Sequence, residues 1–195
     1  MFIHLNTHSV YSAMRGLLSL PDLMNLAKSY AMDTLALTDV NGMWGFIRFV
    51  QHCKDARILP ISGTNLITEK DEVILLVENQ YGYENMCRAV SAVHDDLEQS
   101  VVDILKSSCS GLFVLSHHEP TLNKLIEFIP DTHLFVELRP GIQESFVHQL
   151  AQTLKLEVVA TGDIYFRSQS DHNVHCLLYT SDAADDTPCV DLGGR

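Results

Sequence analysis

The chain has 195 residues, a hydrophobic fraction of 46% and a formal charge of −12. That length suffices for one domain with a substantial core, and the hydrophobic fraction is that of an ordinary globular protein. So acidic a surface repels phosphate backbones, which excludes strong sequence-independent DNA binding by this segment alone.

Phe2-Ile-His-Leu5 reads as a short strand. If it continues, His4, Asn6 and His8 share one face at its C-terminal end, because residues two apart on a strand point the same way. Such a row can offer ligands to a metal, although its middle member, an amide, is a poor one. Leu20–Met32 follows as a helix, with Ser19 as N-cap and Pro21 in the first turn. Leu23, Leu26, Ala27 and Tyr30 recur there at helical spacing. Thr34–Thr38 is an apolar strand running into Asp39, Gly45–Cys53 a helix, and Ile58–Ser62 and Glu72–Val77 are strands. Tyr81–Val93 and Val101–Lys106 read as helices, Gly111–Ser116 as a strand and Pro120–Phe128 as a helix. His133–Glu137 is a strand, Gln143–Leu154 a helix and Glu157–Thr161 a strand, and a last helix begins at Ser170.

Continuous apolar strands alternating with amphipathic helices imply a parallel sheet covered by helices, either open or closed into a barrel. Both arrangements put chemistry at the C-terminal strand ends. His8, Asp39, Asn65, Ser116-His117-His118, Glu137 and Asp163 fall there. Polar residues after strands are also ordinary turn formers, and loop histidines such as His117 and His118 are more often solvated than ligating. Trp44 and Phe46 read as core or interface aromatics, and Cys87 as a packed helical thiol.

The five cysteines are scattered and odd in number, which fits reduced thiols better than disulfides or a zinc knuckle. No signal peptide and no membrane-length apolar run is visible, so the expected location is cytoplasmic and no membrane partner is expected. Residues 179–195 are small, acidic and aperiodic. They read either as a disordered tail or as translated adapter sequence foreign to the domain, which would make 1–178 a truncated domain.

The motifs His4-Leu-Asn-Thr-His8-Ser-Val-Tyr-Ser12, Leu35-Ala-Leu-Thr-Asp39, Pro60-Ile-Ser-Gly63 and Gly82-Tyr-Glu-Asn-Met-Cys-Arg88 occur in that order. Val90-Ser-Ala-Val-His94, Phe135-Val-Glu-Leu138 and Val159-Ala-Thr-Gly-Asp163, with His175, complete the series. Over residues 1–178 the chain resembles the N-terminal PHP domain of bacterial C-family DNA polymerases, either the alpha subunit of DNA polymerase III or its error-prone relative. The resemblance implies an α/β fold, a distorted (β/α)7 barrel incomplete at its C-terminus. It also implies that in metal-bearing relatives the barrel mouth holds up to three metal ions, a cluster that would activate water for phosphoester hydrolysis.

Carried over residue by residue, His8, His94, Glu137 and Asp163 match polar or ligand positions of that pattern, and His175 matches on the following helix. Asn6, Arg15, Val40, Asn65 and Tyr165 depart from it, standing where His, Asp, His, Glu and His are usual. These changes remove anionic or imidazole donors and add a cation, so the trinuclear site is expected to be lost. One weakly held divalent ion (Zn, Mn or Mg) on vestigial ligands His8, His94 and Asp163 is the remaining alternative, with Asp39, His118 and Glu137 as further candidates. Arg15 is expected to pair with Asp39 or Asp163 in place of metal. No residue is expected to be catalytic. The resemblance implies a structural or platform module of a DNA-directed DNA polymerase. Its partners would be the rest of the polymerase chain, a proofreading exonuclease subunit, other replisome subunits and, through the whole protein, DNA. The alternative is a metal-dependent phosphoesterase acting as a 3′–5′ exonuclease or pyrophosphatase.

Overall fold

The computed structural model describes residues 2–185. One sheet holds six strands in sequential order, β1 (Thr34–Leu37), β2 (Leu59–Ile67), β3 (Glu72–Val77), β4 (Leu112–Ser116), β5 (Leu134–Leu138) and β6 (Glu157–Ala160). The helices are α1 (Leu20–Ser29), α2 (Phe46–Ala56), α3 (Gln80–Asp95), α4 (Val101–Leu105), α5 (Glu119–Leu125), α6 (Glu144–Leu154) and α7 (His172–Asp185). Helix α1 starts where expected: the Ser19 side chain accepts the Asp22 N–H, Pro21 sits in the first turn, and Leu20, Leu23, Met24 and Ala27 face the core.

The sheet departs from the all-parallel expectation at one strand. The β1–β2, β4–β5 and β5–β6 pairs are parallel, whereas β3 runs antiparallel to both its neighbours. The cause is the connection. Residues 68–71 make a tight turn in which Thr68 N–H donates to the Asp71 carbonyl at 2.9 Å, and so short a link can only return the chain antiparallel. Strand β2 is longer than expected because it serves two partners: Leu59–Ser62 pair with β1 and Gly63–Ile67 with β3. Gly63 sits at the handover, where a Cβ would lie 2.7 Å from the Leu75 carbonyl oxygen. That approach admits only glycine.

The expected first strand is corrected too. Residues 2–5 form no strand, and the segment instead makes an isolated parallel bridge, Thr7 with Ile164. On one side Ala36 and Thr38 N–H groups donate to the His4 and Thr7 carbonyls, at 3.1 and 2.9 Å. On the other, His8 N–H donates to Ile164 O at 2.8 Å and Ile164 N–H to Asn6 O at 3.1 Å. Residues 4–8 thus lie between β1 and the chain leaving β6, drawing the two ends of the sheet together. The inner face confirms the curl. Leu5, Ile61, Leu76, Leu115, Phe135 and Val159, from that segment and β2–β6, line one cavity of about 450 Å³. The result is a distorted, incomplete α/β barrel.

Two apolar cores lie between the sheet and its helices. The larger includes Leu66, Leu75, Met86, Val93, Leu105, Leu122 and Leu134, and the smaller Leu23, Leu35, Leu37, Phe49 and Cys53. Cys53, Cys87, Cys109 and Cys176 are free thiols, and Cys189 lies outside the described residues. Helix α7 continues past Leu178 to Asp185. The rest of the expected acidic tail, 186–195, also lies outside the described residues. No described helix is long and apolar enough to cross a membrane.

Candidate polar site at the barrel mouth

The ends of β1, β2, β5 and β6, the start of β3 and the 4–8 segment converge on a buried polar layer. Its centre is Arg139, immediately after β5. Arg139 Nη1 donates to Glu72 Oε1 at 2.8 Å, and Nη2 lies 3.4 Å from Glu72 Oε2, a bidentate pair. Nη1 is also 3.7 Å from Asp163 Oδ2, and Nη2 donates to His117 Nε2 at 3.3 Å. The other ring nitrogen of His117 faces Glu137 Oε2 at 3.2 Å. The His117 ring thus bridges Arg139 and Glu137.

Asn6, fully buried, links the remaining acids. Its Nδ2 donates to Asp163 Oδ1 at 3.1 Å and to Glu137 Oε1 at 3.4 Å, while its Oδ1 accepts from the Thr38 hydroxyl at 3.0 Å. Thr161 donates to Glu137 Oε1 at 2.5 Å. His8 is also fully buried, with Nε2 3.5 Å from Asp163 Oδ1 and its ring stacked on Tyr165 at 4.0 Å. Asn65 Nδ2 donates to Glu72 Oε1 at 3.1 Å.

These contacts set the charges. Burial pushes the Glu72 carboxyl up, but the hydrogen bonds from Arg139 and Asn65 and the Arg139 charge outweigh it and hold Glu72 below the usual range. Burial likewise opposes ionisation of Asp163, and His8 and the Arg139 guanidinium together win, leaving it low. Arg139 itself is opposed by burial and held up by Glu72, Asp163 and Glu137. Burial, reinforced by the Asp163 charge, raises the Tyr165 phenol.

Asp39 sits in a separate cage. The Ser9 N–H donates to its Oδ1 at 2.7 Å, the Ser9 hydroxyl lies 2.9 Å from Oδ2, and the Ser12 hydroxyl donates to Oδ1 at 2.6 Å. The carboxylate is almost fully buried and met by three neutral donors.

The structure brings together three of the six candidate ligands: His8, Glu137 and Asp163 share the layer organised by Asn6 and Arg139. It places the others apart. His94, at the end of α3, meets the Asn41 carbonyl with Nε2 at 2.6 Å and lies edge-on to Trp44. His118 turns its Nδ1 to the Thr121 hydroxyl at 2.7 Å, and Thr121 donates to Asp71 at 2.6 Å. Arg139, not singled out from the sequence, is a cation beside Asp163. His117, expected in solvent, is part of the layer.

Arg139 and Glu72 were not anticipated. Glu137 and Arg139 are two apart at the end of a strand and so share a face, a signal present in the sequence. Glu72 was hidden because a parallel β3 would have put it at the far end of the barrel. The residues present do not fit a multinuclear metal cluster. Divalent ions need carboxylates and imidazoles with free lone pairs. Here those of Glu72, Glu137 and Asp163 are turned to Arg139, Asn6, Thr161 and His117, and a fixed cation stands among them. Among the described residues no three His, Cys, Asp or Glu side chains are arranged to hold a metal ion.

Comparison with known proteins agrees with the fold. DNA polymerase III subunit alpha of Vibrio cholerae is 27% identical over 208 residues, covering 89% of this chain and 18% of that protein. The error-prone DNA polymerase of Symbiobacterium thermophilum is 28% identical, covering 91% of this chain and 20% of its own length. The chain thus spans about a fifth of these curated relatives. Among solved structures, a two-domain protein from Bacteroides vulgatus containing a predicted PHP-like metal-dependent phosphoesterase superposes with a TM-score of 0.62 at 15% identity, over 84% of this chain and 51% of that one. A protein from Bifidobacterium adolescentis, assigned as a metal-dependent phosphoesterase, gives 0.57 at 12% identity over 84% and 87%. The family profile described as PHP domain matches residues 4–155, most of the described barrel, and the chain belongs to the PHP domain family.

Proposed function

We propose that this chain is the N-terminal PHP module of a DNA-directed DNA polymerase of the C family, acting as a structural platform and not as a hydrolase. The observation that carries the reading is the Arg139 guanidinium, 2.8 Å from Glu72 and 3.7 Å from Asp163, among the acids that a phosphoesterase of this fold would turn toward metal. Likeness to polymerase subunits over nearly the whole chain supports the parentage. In this reading the partners are the remainder of the polymerase chain, a proofreading exonuclease subunit and other replisome subunits. DNA is engaged through the whole protein, which works in the cytoplasm.

Two measurements test this. The coding sequence continued past residue 178 should hold a long open frame with paired aspartates of a polymerase palm; an early stop overturns the parentage. The purified chain, assayed on a phosphate monoester and on single-stranded DNA with Mn²⁺ or Zn²⁺, should show no turnover. Hydrolysis that is abolished by Asp163→Asn overturns the platform reading in favour of a metal-dependent phosphoesterase.

A further inference from the structure

We propose that the exposed rim built on Trp44, Ile47 and Arg48 is the docking surface for a protein partner, and that it takes a linear segment combining an apolar side chain with Asp or Glu. The inference rests on the platform reading above and names the surface and the chemistry of what it carries.

Trp44 and Ile47 are 66% and 63% exposed, and Val10 and Met14, at 48% and 39%, stand on the neighbouring 9–16 loop. Tyr11 joins the two stretches. A Cβ on Gly45 would lie 2.5 Å from the Tyr11 ring, and the Tyr11 hydroxyl accepts from Arg48 Nη1 at 3.0 Å. The Arg48 guanidinium is thereby held beside the apolar side chains. Trp44 is held too, with its indole against Gly42 and edge-on to His94. Side chains fixed before binding lose little freedom on it, and Trp and Arg are the residue types that dominate interface energy.

Charge identifies what covers the rim. The chain has 25 Asp and Glu, yet none falls in 9–21 or 40–54. Arg48 and Lys54 are both exposed on α2, and Lys54, seven residues after Ile47, shares its face. The rim is bounded by Asp55 in the last turn of α2, and by Asp95 and Asp96 after His94. A locally cationic surface on a chain of net charge −12 attracts acids there, and the bounding acids repel them elsewhere. Aliphatic Val10, Met14 and Ile47 favour a polypeptide over a nucleic-acid strand, whose bases need aromatic faces and whose phosphates meet the net negative charge.

The test selects binders of the whole 195-residue chain from a library of random peptides of about twelve residues, then titrates the selected peptide. Trp44 is the single tryptophan of the sequence, so its emission reports on this surface alone. Selected peptides should carry Asp or Glu with an aromatic or aliphatic residue, and should shift the emission to shorter wavelength as the indole leaves water. Read by anisotropy of the labelled peptide, Trp44→Ala and Ile47→Ser should each weaken binding at least about tenfold. Arg48→Glu should do the same and flatten the salt dependence. Phe146→Ser, on α6, should leave affinity unchanged. Should Arg48→Glu fail to fold, Lys54→Glu takes its place with the same expectation. A selection that returns no peptide, or basic ones, overturns the proposal. So does binding that leaves the Trp44 emission unchanged or survives Trp44→Ala. Displacement of the peptide by oligodeoxythymidylate at lower concentration would assign the rim to single-stranded nucleic acid and overturn it too. Hydrolysis of a phosphoester by the chain would overturn the platform reading without altering these binding results.

Discussion

Arg139 and Glu72 are joined by two hydrogen bonds across 67 positions of sequence, tying the end of β5 to the start of β3. Strands β3 and β5 are not neighbours in the sheet; β4 lies between them. The pair therefore clamps three strands at the mouth. Glu72→Gln keeps the shape and removes the charge, leaving the guanidinium short of its main partner. It should cost about 1–3 kcal/mol by urea unfolding. Arg139→Lys keeps the charge but loses the fork, and should cost about 1–2 kcal/mol. Equal stability of both variants and the parent would show that the clamp carries no net energy.

The same pair sets an acid limit. Glu72 and Asp163 are both held below their ordinary values of 4.5 and 3.8. A carboxyl depressed by folding contributes stability that is complete above its unfolded value and lost as pH falls through its folded value. The unfolded chain binds more protons across that window, so stability falls with acid. Urea midpoints should be level in this respect above about pH 5 and drop steeply below about pH 4, with a shallower drop in Glu72→Gln.

Much of this layout was legible in the residues. The apolar strands, the Ser19 cap and the polar strand ends place the barrel and its mouth, because burial pattern and capping are local signals. Strand direction at β3 was not legible, since an apolar run buried on both faces reads alike in either sense. Reversing it moves Glu72 from the floor to the mouth, and with it the partner of Arg139. The grouping of His8 with Glu137 and Asp163 followed from position alone. The separate placements of His94 and His118 did not, because each depends on a neighbour, Asn41 or Thr121, that only tertiary structure supplies.

The Asp39 cage depends on a loop with no room to spare. A Cβ on Gly16 would lie 1.9 Å from the Ser9 carbonyl oxygen, a backbone atom that cannot swing away. Ser9 provides two of the donors to Asp39. Gly16→Ala should therefore displace Ser9, loosen the cage and cost about 1–3 kcal/mol. Asp39→Ala, which strands the Ser9 and Ser12 donors, should cost a similar amount, about 1–3 kcal/mol. Because both act through one loop, the double variant should be less destabilised than the sum of the singles.

A second pH dependence comes from the opposite wall. His4 lines a cavity of about 310 Å³ with Leu18, Leu23 and Leu35, and its Nδ1 is buried without a hydrogen-bond partner among the described residues. Burial lowers its pKa from the ordinary 6.5. The sign is that of a base kept neutral by folding. Between its folded value and 6.5 the unfolded chain holds the extra proton, so stability is full above 6.5 and falls as pH drops below it. This window opens at 6.5, whereas those of Glu72 and Asp163 open at 4.5 and 3.8, so the first loss on acidification belongs to His4. His4→Phe removes the titrating group while keeping a ring against the apolar wall. Between pH 6.5 and about 5 the parent chain should lose stability and His4→Phe should lose less, read as urea midpoints at matched ionic strength. Parallel curves for the two proteins would place the titration elsewhere.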